Sequence, residues 1–407
     1  MRDVAIVGVG MTKFGKHPEM GIKDLVRESV SKALADAGAD KEDLEAAYVG
    51  SAAPGIMTGQ EQIKAQVTLS AMGIQEIPMY NVENACASSS SALNLGWLAV
   101  ASGVHDCVLV VGFEKLYDKD KLKSFMALGT AVDIENVTKF LDEFQSKFNL
   151  REGILGEGSG KSRSIFMDMY AYYTRTYMEK TGLTQKHFAK IAVKSHKNGA
   201  LNPHAQYQKE VTIEEVLASG EVAWPLTKMM CSPIGDGGAA AILCSRKRAA
   251  RFTTRPVWIA GSVIGSGKVS FDMTDTLTKR LAPKAFEKAG IGPSDIDVIE
   301  VHDATSPSEI ITLMELGICP LEEARRWIDE GRLEVSGRNP TNTSGGLASK
   351  GHPIGATGMG MVHEIVHQLR GTAGKRQVKN AKTGMTHNGG GILGVDAAAM
   401  ALHIFKR

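Results

Sequence analysis

The sequence predicts an α/β fold made of two pseudo-symmetric halves, with an extra segment inserted into the first. Three observations favour it. A chain of 407 residues that is 43% hydrophobic and 23% charged has an ordinary globular composition and the length for two or three units. Strand-like apolar runs alternate with helix-like runs. The same succession of elements also occurs twice, which indicates an internal repeat.

Each repeat is predicted to run strand, helix, strand, helix, strand. The first begins with VAIVG and the second with VWIAG. The helix-like ALADAGADKEDLEAAYVG, from Ala33, resembles AFEKAGIGPSDIDVIEVH, from Ala285, and in that alignment Gly38 pairs with Gly290. Such alternation is typical of α/β proteins with parallel or mixed sheets.

The two halves are predicted to span residues 1–250 and 251–407, and residues 119–200 have no counterpart in the second. This stretch is charged and helix-like, as in NVTKFLDEFQSKF and IFMDMYAYYTRTYMEKTG. We interpret it as an inserted loop or cap domain over the first half; the alternative is a second core domain. Related helix starts in the two halves would face each other near a pseudo-twofold axis, the kind of junction where α/β proteins bind ligands.

Charge and cysteine content argue against several classes of protein. The formal net charge is +2, so the composition predicts neither nucleic-acid binding nor membrane association. No apolar run is long enough to span a bilayer, and the chain opens on a strand without a signal-peptide pattern. The five cysteines form no CxxC pair, which argues against disulfides and a cysteine-rich zinc site. We expect a cytoplasmic protein without a bound metal.

The candidate catalytic residues are one cysteine and three histidines. Cys86 lies in NVENACASSSSAL, where an apolar run ends and a helix-like run begins. Amide dipoles at a helix start favour a thiolate, although a lone cysteine is more often inert packing. His352 lies in GHPIGATG and His387 in HNGGG, where glycines permit close approach of a substrate, and His302 ends a strand in EVHDATSPSE. Together they supply the nucleophile, proton carriers and oxyanion donors of acyl transfer.

Other polar motifs have structural interpretations. Asp303 and Thr305 are expected to cap a helix. HEIVH at residues 363–367 matches a zinc-protease pattern, but no glutamate follows it as a third ligand. GEGSGKS at residues 156–162 approaches a phosphate-binding loop, but Leu155 stands where the first glycine is required. We therefore assign neither a metal site nor a nucleotide site to these motifs.

In combination the catalytic motifs resemble those of the thiolase superfamily, above all the branch of sterol-carrier-protein-type and archaeal thiolases. The resemblance extends over nearly the whole chain and includes NVENACASSSSAL, VGFEK, CSPIGDGGAAAIL, HDAT, GGLASKGHPIGATG and HNGGG. It implies two stacked αβαβα halves with a loop domain and at least a dimer. It also implies acyl-CoA substrates, with coenzyme A as co-substrate and no covalently bound cofactor.

The resemblance also implies roles for residues of this chain. Cys86 matches the nucleophile that becomes acylated, and His352 matches the histidine that activates it and helps to bind the thioester oxygen. His302 stands where many thiolases carry asparagine, whereas this branch carries histidine. The amides of Cys86 and Gly389 match an oxyanion hole. Ser232 matches a loop-domain serine that contacts the pantetheine arm.

The chain departs from the family pattern at the second acid/base residue. His387 replaces the cysteine of a C-terminal CxG motif, and Ala304 stands where the sterol-carrier type can place a cysteine. We infer that His387 takes over proton transfer, since an imidazole titrates near neutral pH. Altered chemistry is the alternative.

The predicted function is that of an acyl-CoA C-acyltransferase, which cleaves or forms 3-oxoacyl-CoA through an acyl-cysteine intermediate. The substrate would be bulky, like benzoylsuccinyl-CoA, or small, like acetoacetyl-CoA. The aromatic, Met-rich segment 165–178 would line a pocket for a bulky acyl group or simply pack on the core. The alternatives are a thiolase-fold retro-aldolase acting on a CoA thioester and a non-catalytic acyl-CoA or lipid carrier. Members of this branch often work with a small zinc-ribbon/OB-fold partner protein, which we expect here.

Overall fold

The computed structural model describes residues 1–147, Ser159, 163–252 and 255–407. Its strands are β1 (Val4–Met11), β2 (Ala46–Gly50), β3 (Met79–Val82), β4 (Cys107–Glu114), β5 (Glu221–Ala223), β6 (Leu226–Thr227), β7 (Gly237–Ser245), β8 (Val257–Ser266), β9 (Val298–Val301), β10 (Thr383–Leu393) and β11 (Asp396–Lys406). Its helices are α1 (Ile22–Ala37), α2 (Pro54–Thr58), α3 (Lys64–Ser70), α4 (Ser88–Ser102), α5 (Lys121–Gly129), α6 (Val137–Lys147), α7 (Ile165–Thr181), α8 (Gln185–Ala200), α9 (Ile213–Leu217), α10 (Arg246–Ala249), α11 (Leu277–Ala289), α12 (Ser306–Glu315), α13 (Ala324–Asp329), α14 (Gly346–Lys350) and α15 (Thr357–Arg370). None of the helices in these ranges has both the length and the apolar character to cross a bilayer.

A mixed sheet of nine strands runs through the described residues in the order β3-β2-β4-β7-β1-β8-β11-β10-β9. Strand β2 is parallel to β3 and β4, and β9 is parallel to β10, whereas the other neighbours are antiparallel. The order β1-β7-β4-β2 therefore recurs, with the same relative directions, as β8-β11-β10-β9. The two halves join where β1 meets β8, through the pairs Ala5–Trp258 and Ile6–Val257. The predicted α/β repeat is confirmed.

Helices lie between the two parts of the sheet and over their outer faces. Helix α4 of the first half packs beside α15 of the second, and their apolar side chains share one buried cluster with β1, β4 and β7. Helix α1 covers the opposite face of the first half, while α11 and α12 belong to the buried cluster of the second. This layering agrees with the predicted αβαβα architecture.

The repeat extends to the ends of corresponding helices. Helix α1 is followed by Gly38 and α11 by Gly290, both with a φ of 64°. Glycine adopts this left-handed conformation without the steric cost that a Cβ brings, so it ends both helices in the same way. At its start, α11 is capped by Thr276, whose hydroxyl accepts the amide hydrogen of Lys279. The sequence alignment of Gly38 with Gly290 is thus confirmed by backbone geometry.

The segment between β4 and β7 carries α5 to α9 and the β5–β6 pair, and it contacts both halves. Helix α5 packs on α2 of the first half, but α7 packs on α12, and α8 packs on α12, α13 and α14. The interpretation of residues 119–200 as a cap over the first half stays a prediction. The apolar face of α8, with Phe188 and Ile191, also joins the buried cluster of α11 and α12. The insert therefore spans the junction between the halves.

The structure places none of the five cysteines in a disulfide. Cys107 and Cys244 lie opposite each other on β4 and β7, fully buried, with their Sγ atoms 3.3 Å apart. Cys319 is also buried.

Candidate active site

Cys86 lies in a tight turn between β3 and α4. Residues Ala85–Ala87 form one 3-10 turn, and Ala85 has a left-handed φ of 48°. The hydroxyl of Ser88 donates to the carbonyl of Ala85 at 2.6 Å and accepts from the amide of Asn84 at 3.0 Å. Small hydroxyl side chains thus stabilise a sharp change from strand to helix. The bend places Cys86 immediately before α4, the position that the sequence predicts.

Glycines of β10 approach this turn closely. A Cβ on Gly390 would lie 2.1 Å from the carbonyl oxygen of Asn84, so no larger residue fits there. The amide of Gly391, together with the amide of Cys86 itself, lies near enough to the sulfur to favour its negative form. Sequence reasoning selected Gly389 and missed Gly391. A run of glycines does not by itself show which amide turns toward the cysteine.

His302 and His352 meet at Cys86. The sulfur of Cys86 and one ring nitrogen of each histidine all lie within 4.8 Å of one another. The two Nε2 atoms are 3.4 Å apart. His302 directly follows β9, and a Cβ on Gly389 would lie 3.6 Å from its Nδ1. The structure therefore brings four of the predicted site residues, from both halves, to one point.

The hydrogen bonds of His352 indicate which of its nitrogens carries the proton. Thr357 donates its single hydroxyl hydrogen to the carbonyl of Pro353 at 3.0 Å, and its oxygen lies 2.7 Å from Nδ1 of His352. The tautomer that uses both contacts has Nδ1–H of His352 donating to Thr357. In this assignment Nε2 is unprotonated on the side of Cys86 and His302, where it can accept a proton.

His387 borders the same cavity but has a different partner. It lies on β10, is 3% exposed, and its Nε2 is 3.0 Å from the hydroxyl of Thr278 at the start of α11. Its Nδ1 has no hydrogen-bond partner within the described part of the chain. Sequence reasoning missed Thr278, because a threonine in the first turn of a helix carries no signal beyond capping.

Burial governs the charge of the cysteine. Burial and, to a smaller extent, the nearby Glu114 carboxylate raise the pKa of the Cys86 thiol to about 12. The sequence argument from the helix start predicted a shift in the opposite direction. The amides of Cys86 and Gly391 do favour the thiolate, but desolvation outweighs them. Without substrate, Cys86 is a thiol at neutral pH.

The three histidines are neutral as well. Burial lowers the pKa of His302 to about 4 and that of His387 to about 3. The pKa of His352 also lies well below its ordinary value, chiefly because of burial and then because His302 and Lys350 are close. Neutral imidazoles beside a thiol are equipped to accept and pass on its proton. The sequence argument, which relied on the ordinary pKa of histidine, did not anticipate shifts of this size.

Glu114, at the end of β4, is a buried carboxyl beneath the site. It accepts hydrogen bonds from the amides of Ala52 at 3.1 Å, Ala53 at 3.0 Å and Gly355 at 2.9 Å. Burial raises its pKa to about 7. Because Gly355 follows His352 by three residues, Glu114 links the first half to the histidine turn of the second. Glu114 is the glutamate of VGFEK, one of the motifs that resemble the family, but only the tertiary structure shows these contacts.

The residues next to His302 have structural roles. The carboxyl of Asp303 accepts the amide of Leu347, in the first turn of α14, at 2.7 Å. Asp303 therefore caps a helix, as expected, but a helix distant in sequence. Thr305 precedes α12 as expected, and its hydroxyl pairs with Ser308 at 2.9 Å rather than with the backbone.

A cavity of about 850 Å³ opens beside these groups and is lined by both halves and the insert. Cys86, His302, His352, His387 and Ser232 all border it. The amide of Ser232 donates to the carbonyl of Ala304 at 2.9 Å. Much of the apolar lining comes from the insert, namely Phe125, Leu128, Phe144, Phe166, Met167 and Met169. The segment 165–178 thus borders a pocket as well as packing on the core.

The motifs HEIVH and GEGSGKS, to which the sequence analysis assigned no metal or nucleotide, can be compared with the structure. Glu364 of HEIVH accepts from Arg376 at 2.8 Å and from Gln368 at 3.0 Å, so its carboxylate is used in a buried ion pair. Of the GEGSGKS motif, the structure describes only Ser159. The prediction that this motif is not a nucleotide site therefore lies outside the described residues. Cys86, His302 and His352 have donor atoms spaced as a soft metal ion would require. Our assignment of Cys86 as the nucleophile and of the two histidines as its catalytic partners, without a metal, remains a prediction.

Comparison with protein families gives two matches that together cover most of the chain. A family described as Thiolase, N-terminal domain matches residues 4–247, and one described as Thiolase C-terminal domain-like matches residues 267–403. An acetyl-CoA acetyltransferase of Methanothermobacter thermautotrophicus is 39% identical over the full length of both chains. Sterol carrier protein 2 of Gallus gallus is 39% identical over 95% of this chain and 69% of its own length.

Solved structures give the same likeness. The Ltp2-ChsH2(DUF35) aldolase is 25% identical, with a TM-score of 0.77 over 98% of this chain and 97% of that chain. The human mitochondrial 3-ketoacyl-CoA thiolase is 17% identical, with a TM-score of 0.69 over 100% of this chain and 98% of that chain. The second likeness is one of fold.

Proposed function

The chain belongs to the thiolase family of acyltransferases, and from this premise we propose that it cleaves or forms 3-oxoacyl-CoA through an acyl-Cys86 intermediate. One observation carries the proposal. The sulfur of Cys86 and ring nitrogens of His302 and His352 lie within 4.8 Å of one another at the wall of a large cavity. That arrangement is a nucleophile with an adjacent base.

In the degradative direction, Cys86 attacks the ketone carbon of a 3-oxoacyl-CoA. The thiol proton passes to the unprotonated Nε2 of His352 as the carbon–sulfur bond forms. We assign the amide of Cys86 to the developing oxyanion, together with the amides of the β10 glycines Gly389 and Gly391. A positioned donor of this kind contributes roughly a hundredfold to a thousandfold in rate.

Cleavage of the bond between the second and third acyl carbons leaves an acyl-Cys86 thioester and the enolate of a shorter acyl-CoA. We assign His302 and His352 to the enolate oxygen and His387 to the protonation of its carbon. The thiol proton held by His352 passes by way of His302, whose Nε2 is 3.4 Å away, to His387 and from there to the enolate carbon, so each histidine ends the first half-reaction neutral. The thiol of free coenzyme A then takes the acyl group and returns its proton to Cys86. Synthesis is the reverse.

The acyl group has two candidates. The archaeal relatives are named acetyl-CoA acetyltransferases, which supports acetoacetyl-CoA. The volume of about 850 Å³ and the aromatic lining from the insert support a bulkier substrate like benzoylsuccinyl-CoA. Of the alternative functions, the retro-aldolase is supported by the likeness to the Ltp2-ChsH2(DUF35) aldolase and the carrier by the likeness to sterol carrier protein 2. Retention of Cys86 between two neutral histidines favours the acyltransferase over both.

We propose that the working enzyme is at least a homodimer. Strand β3 lies at the edge of the sheet, and Tyr80 on it is 48% exposed. Leu95 and Leu98 on α4 and Ile264 on β8 are also exposed. An edge strand with apolar neighbours is a surface that a second copy can cover.

We also propose a partner protein and a cytoplasmic location. The Ltp2-ChsH2(DUF35) aldolase is a two-protein assembly by name, which supports a partner here, and the zinc-ribbon/OB-fold type follows from the sequence resemblance. The odd number of cysteines and the lack of a CxxC pair support a reducing compartment. Copurification of a fully active homo-oligomer without a second chain would count against the partner.

Intact-protein mass spectrometry tests the central proposal. The protein is mixed with acetyl-, succinyl-, benzoyl- and longer acyl-CoAs, and the adduct is mapped by peptide analysis. We expect one acyl group on Cys86, lost in Cys86→Ala. Cys231→Ala is the matched control, because Cys231 borders the same cavity and its thiol pKa is likewise raised to about 12 by burial. A folded protein that forms no adduct with any thioester would favour the aldolase or carrier.

A further inference from the structure

One wall of the cavity is formed by a polar stripe on α12. Ser308, Thr312 and Glu315, with Ile311 between them, all border the cavity, and their spacing of three to four residues places them on one face of the helix. Helix α12 begins four residues after His302. Nine residues of helix rise roughly 13 Å, so the stripe runs from the catalytic histidine to a distant end at Glu315.

Glu315 is a nearly buried carboxyl, 8% exposed, that accepts hydrogen bonds from neighbouring hydroxyls. The hydroxyl of Tyr177 donates to its Oε1 at 3.1 Å, and the hydroxyl of Tyr173 donates to the same atom. Oε2 receives neither phenol, and the hydroxyl of Thr276 is a further donor beside this carboxylate. Burial raises the pKa of this carboxyl, which shows how thoroughly water is removed from around it.

Thr312, one turn earlier on α12, adds a second polar group. It is 6% exposed and borders the cavity. Apolar side chains of Ile311, Leu277 and Met273 border the cavity too, and Thr276 adds another hydroxyl. A polar group that loses its hydrogen bonds to water without gaining others costs about 1–3 kcal/mol, so a purely alkyl acyl chain would be disfavoured at this end of the cavity.

We infer that the far end of the cavity is a subsite for acyl groups that carry a hydroxyl near their distal end, with Glu315 as its acceptor and Thr312 as its neighbour. The inference rests on the proposed acyl transfer at Cys86. A hydroxyl can donate to Oε2 of Glu315 and pair with Thr312. A distal carboxylate would instead bring a second acidic group against Glu315, and a methyl end would satisfy neither residue.

The test compares pairs of acyl-CoAs that differ only in a terminal hydroxyl, such as hexanoyl, octanoyl and decanoyl chains with and without it. We expect the hydroxylated member of at least one pair to acylate Cys86 about tenfold faster, the usual effect of one hydrogen bond to a charged group. Glu315→Gln should reduce the preference several-fold, and Glu315→Leu should reverse it. Glu322→Gln, on an exposed residue, is the matched control and should leave it unchanged.

Binding to Cys86→Ala, measured by calorimetry, gives a readout that needs no chemistry. We expect the same preference for the hydroxylated chain in this variant and its loss in the double variant with Glu315→Gln. Equal binding and equal acylation within every pair overturns the subsite, even if Cys86 becomes acylated. A uniform loss of affinity for all acyl-CoAs and for free coenzyme A in Glu315→Gln also overturns it, because Glu315 would then contact the pantetheine arm. Absence of acylation alone, with the binding preference intact, contradicts the proposed function and not the subsite.

Discussion

Cys86 stands before α4, where a helix dipole stabilises a negative charge by roughly 0.3–1 kcal/mol at exposed positions. Desolvation and the Glu114 carboxylate act against it and raise the thiol pKa to about 12. The charge state of the residue therefore follows from its tertiary surroundings rather than from its place at a helix start. Since His352 is neutral and carries an unprotonated Nε2 on this side, the reactive form is expected to arise when substrate brings the carbonyl carbon to the thiol.

Alkylation of Cys86 by iodoacetamide should therefore be slow and strongly pH-dependent in the free enzyme. Below a thiol pKa of about 12, each rise of one pH unit increases the thiolate fraction tenfold. The alkylation rate should therefore keep rising between pH 7 and 9. The rate is measured by mass spectrometry of the Cys86 peptide, with Cys86→Ala as the blank. A plateau in that range would show that the amides at the turn outweigh burial.

Removal of the Thr278 hydroxyl should separate the two half-reactions. In Thr278→Val, His387 loses its 3.0 Å partner on Nε2, whereas Cys86 and His352 keep theirs. We expect unchanged acylation of Cys86 and roughly tenfold or greater loss in the exchange of acetyl-CoA methyl hydrogens with heavy water. Thr386→Val is the matched control, since the buried hydroxyl of Thr386 has no hydrogen-bond partner among the described residues. Equal exchange in both variants would remove His387 from the proposed mechanism.

Among the strands and helices, β10 contributes more to the site than the pattern of apolar residues along it indicates. Its first part is a buried strand between β9 and β11, and its HNGGG stretch then passes against the Cys86 turn. The strand supplies a histidine, a close-packed glycine and an amide near the sulfur within five residues, His387 to Gly391. A local change in this strand should therefore act on the nucleophile across the interface of the two halves.

Gly390→Ala should inactivate the enzyme by moving the Cys86 turn. Its new Cβ would meet the carbonyl oxygen of Asn84 at 2.1 Å, and backbone on both sides cannot yield cheaply. We expect loss of Cys86 acylation and a fall of about 1–3 kcal/mol in the free energy of unfolding, the usual cost of overpacking. Chemical denaturation and adduct mass spectrometry measure the two effects.

Gly129→Ala is the control for that substitution. No atom lies within 4 Å of the new Cβ, and Gly129 is the last residue of α5. It should keep full acylation and equal or slightly greater stability, because alanine restricts the unfolded chain. Full activity in Gly390→Ala would show that the turn can relax without disturbing Cys86.

At the scale of the whole molecule, a second group of histidines lies away from the site. The rings of His204, His363 and His367 pack at steep angles to one another, with centroids 5.1 Å and 4.5 Å apart along the series, and His363 is buried while the other two are half-buried. Burial, followed by the nearby Lys32, His367 and Arg376, lowers the pKa of His204 to about 4. The folded protein thus excludes protons that the unfolded chain binds below pH 6.5, and acid favours unfolding.

His204→Gln should reduce the acid sensitivity of the fold. The folded pKa of His204 lies below its unfolded value, so its stabilising effect is complete above pH 6.5 and is lost as the pH falls toward 4. The difference in free energy of unfolding between the variant and the wild type should be about 1–2 kcal/mol more favourable to the variant at pH 5 than at pH 8. Denaturant titrations at both pH values measure the difference, and an identical change at the two would contradict the prediction.

The sequence by itself determined the two-half α/β fold and the positions of the catalytic motifs. The repeated strand and helix patterns predicted two related α/β halves, and the αL glycines Gly38 and Gly290 confirm the alignment. The Cys86 turn and the histidine motifs were identified because small residues beside chemically active ones are a local signal. Periodicity and turn composition are properties of neighbouring residues, so they can be read along the chain.

Tertiary structure alone decided the charge of the site, the place of the insert and the partners of each histidine. Desolvation depends on residues from both halves, which is why the thiol pKa of Cys86 rises although its local sequence predicts a fall. Glu114, Thr278 and Glu315 became candidate site residues only when strands and helices distant in sequence were brought together. Electrostatic energies and hydrogen bonds depend on distance in space, and no pattern within a single segment records that distance.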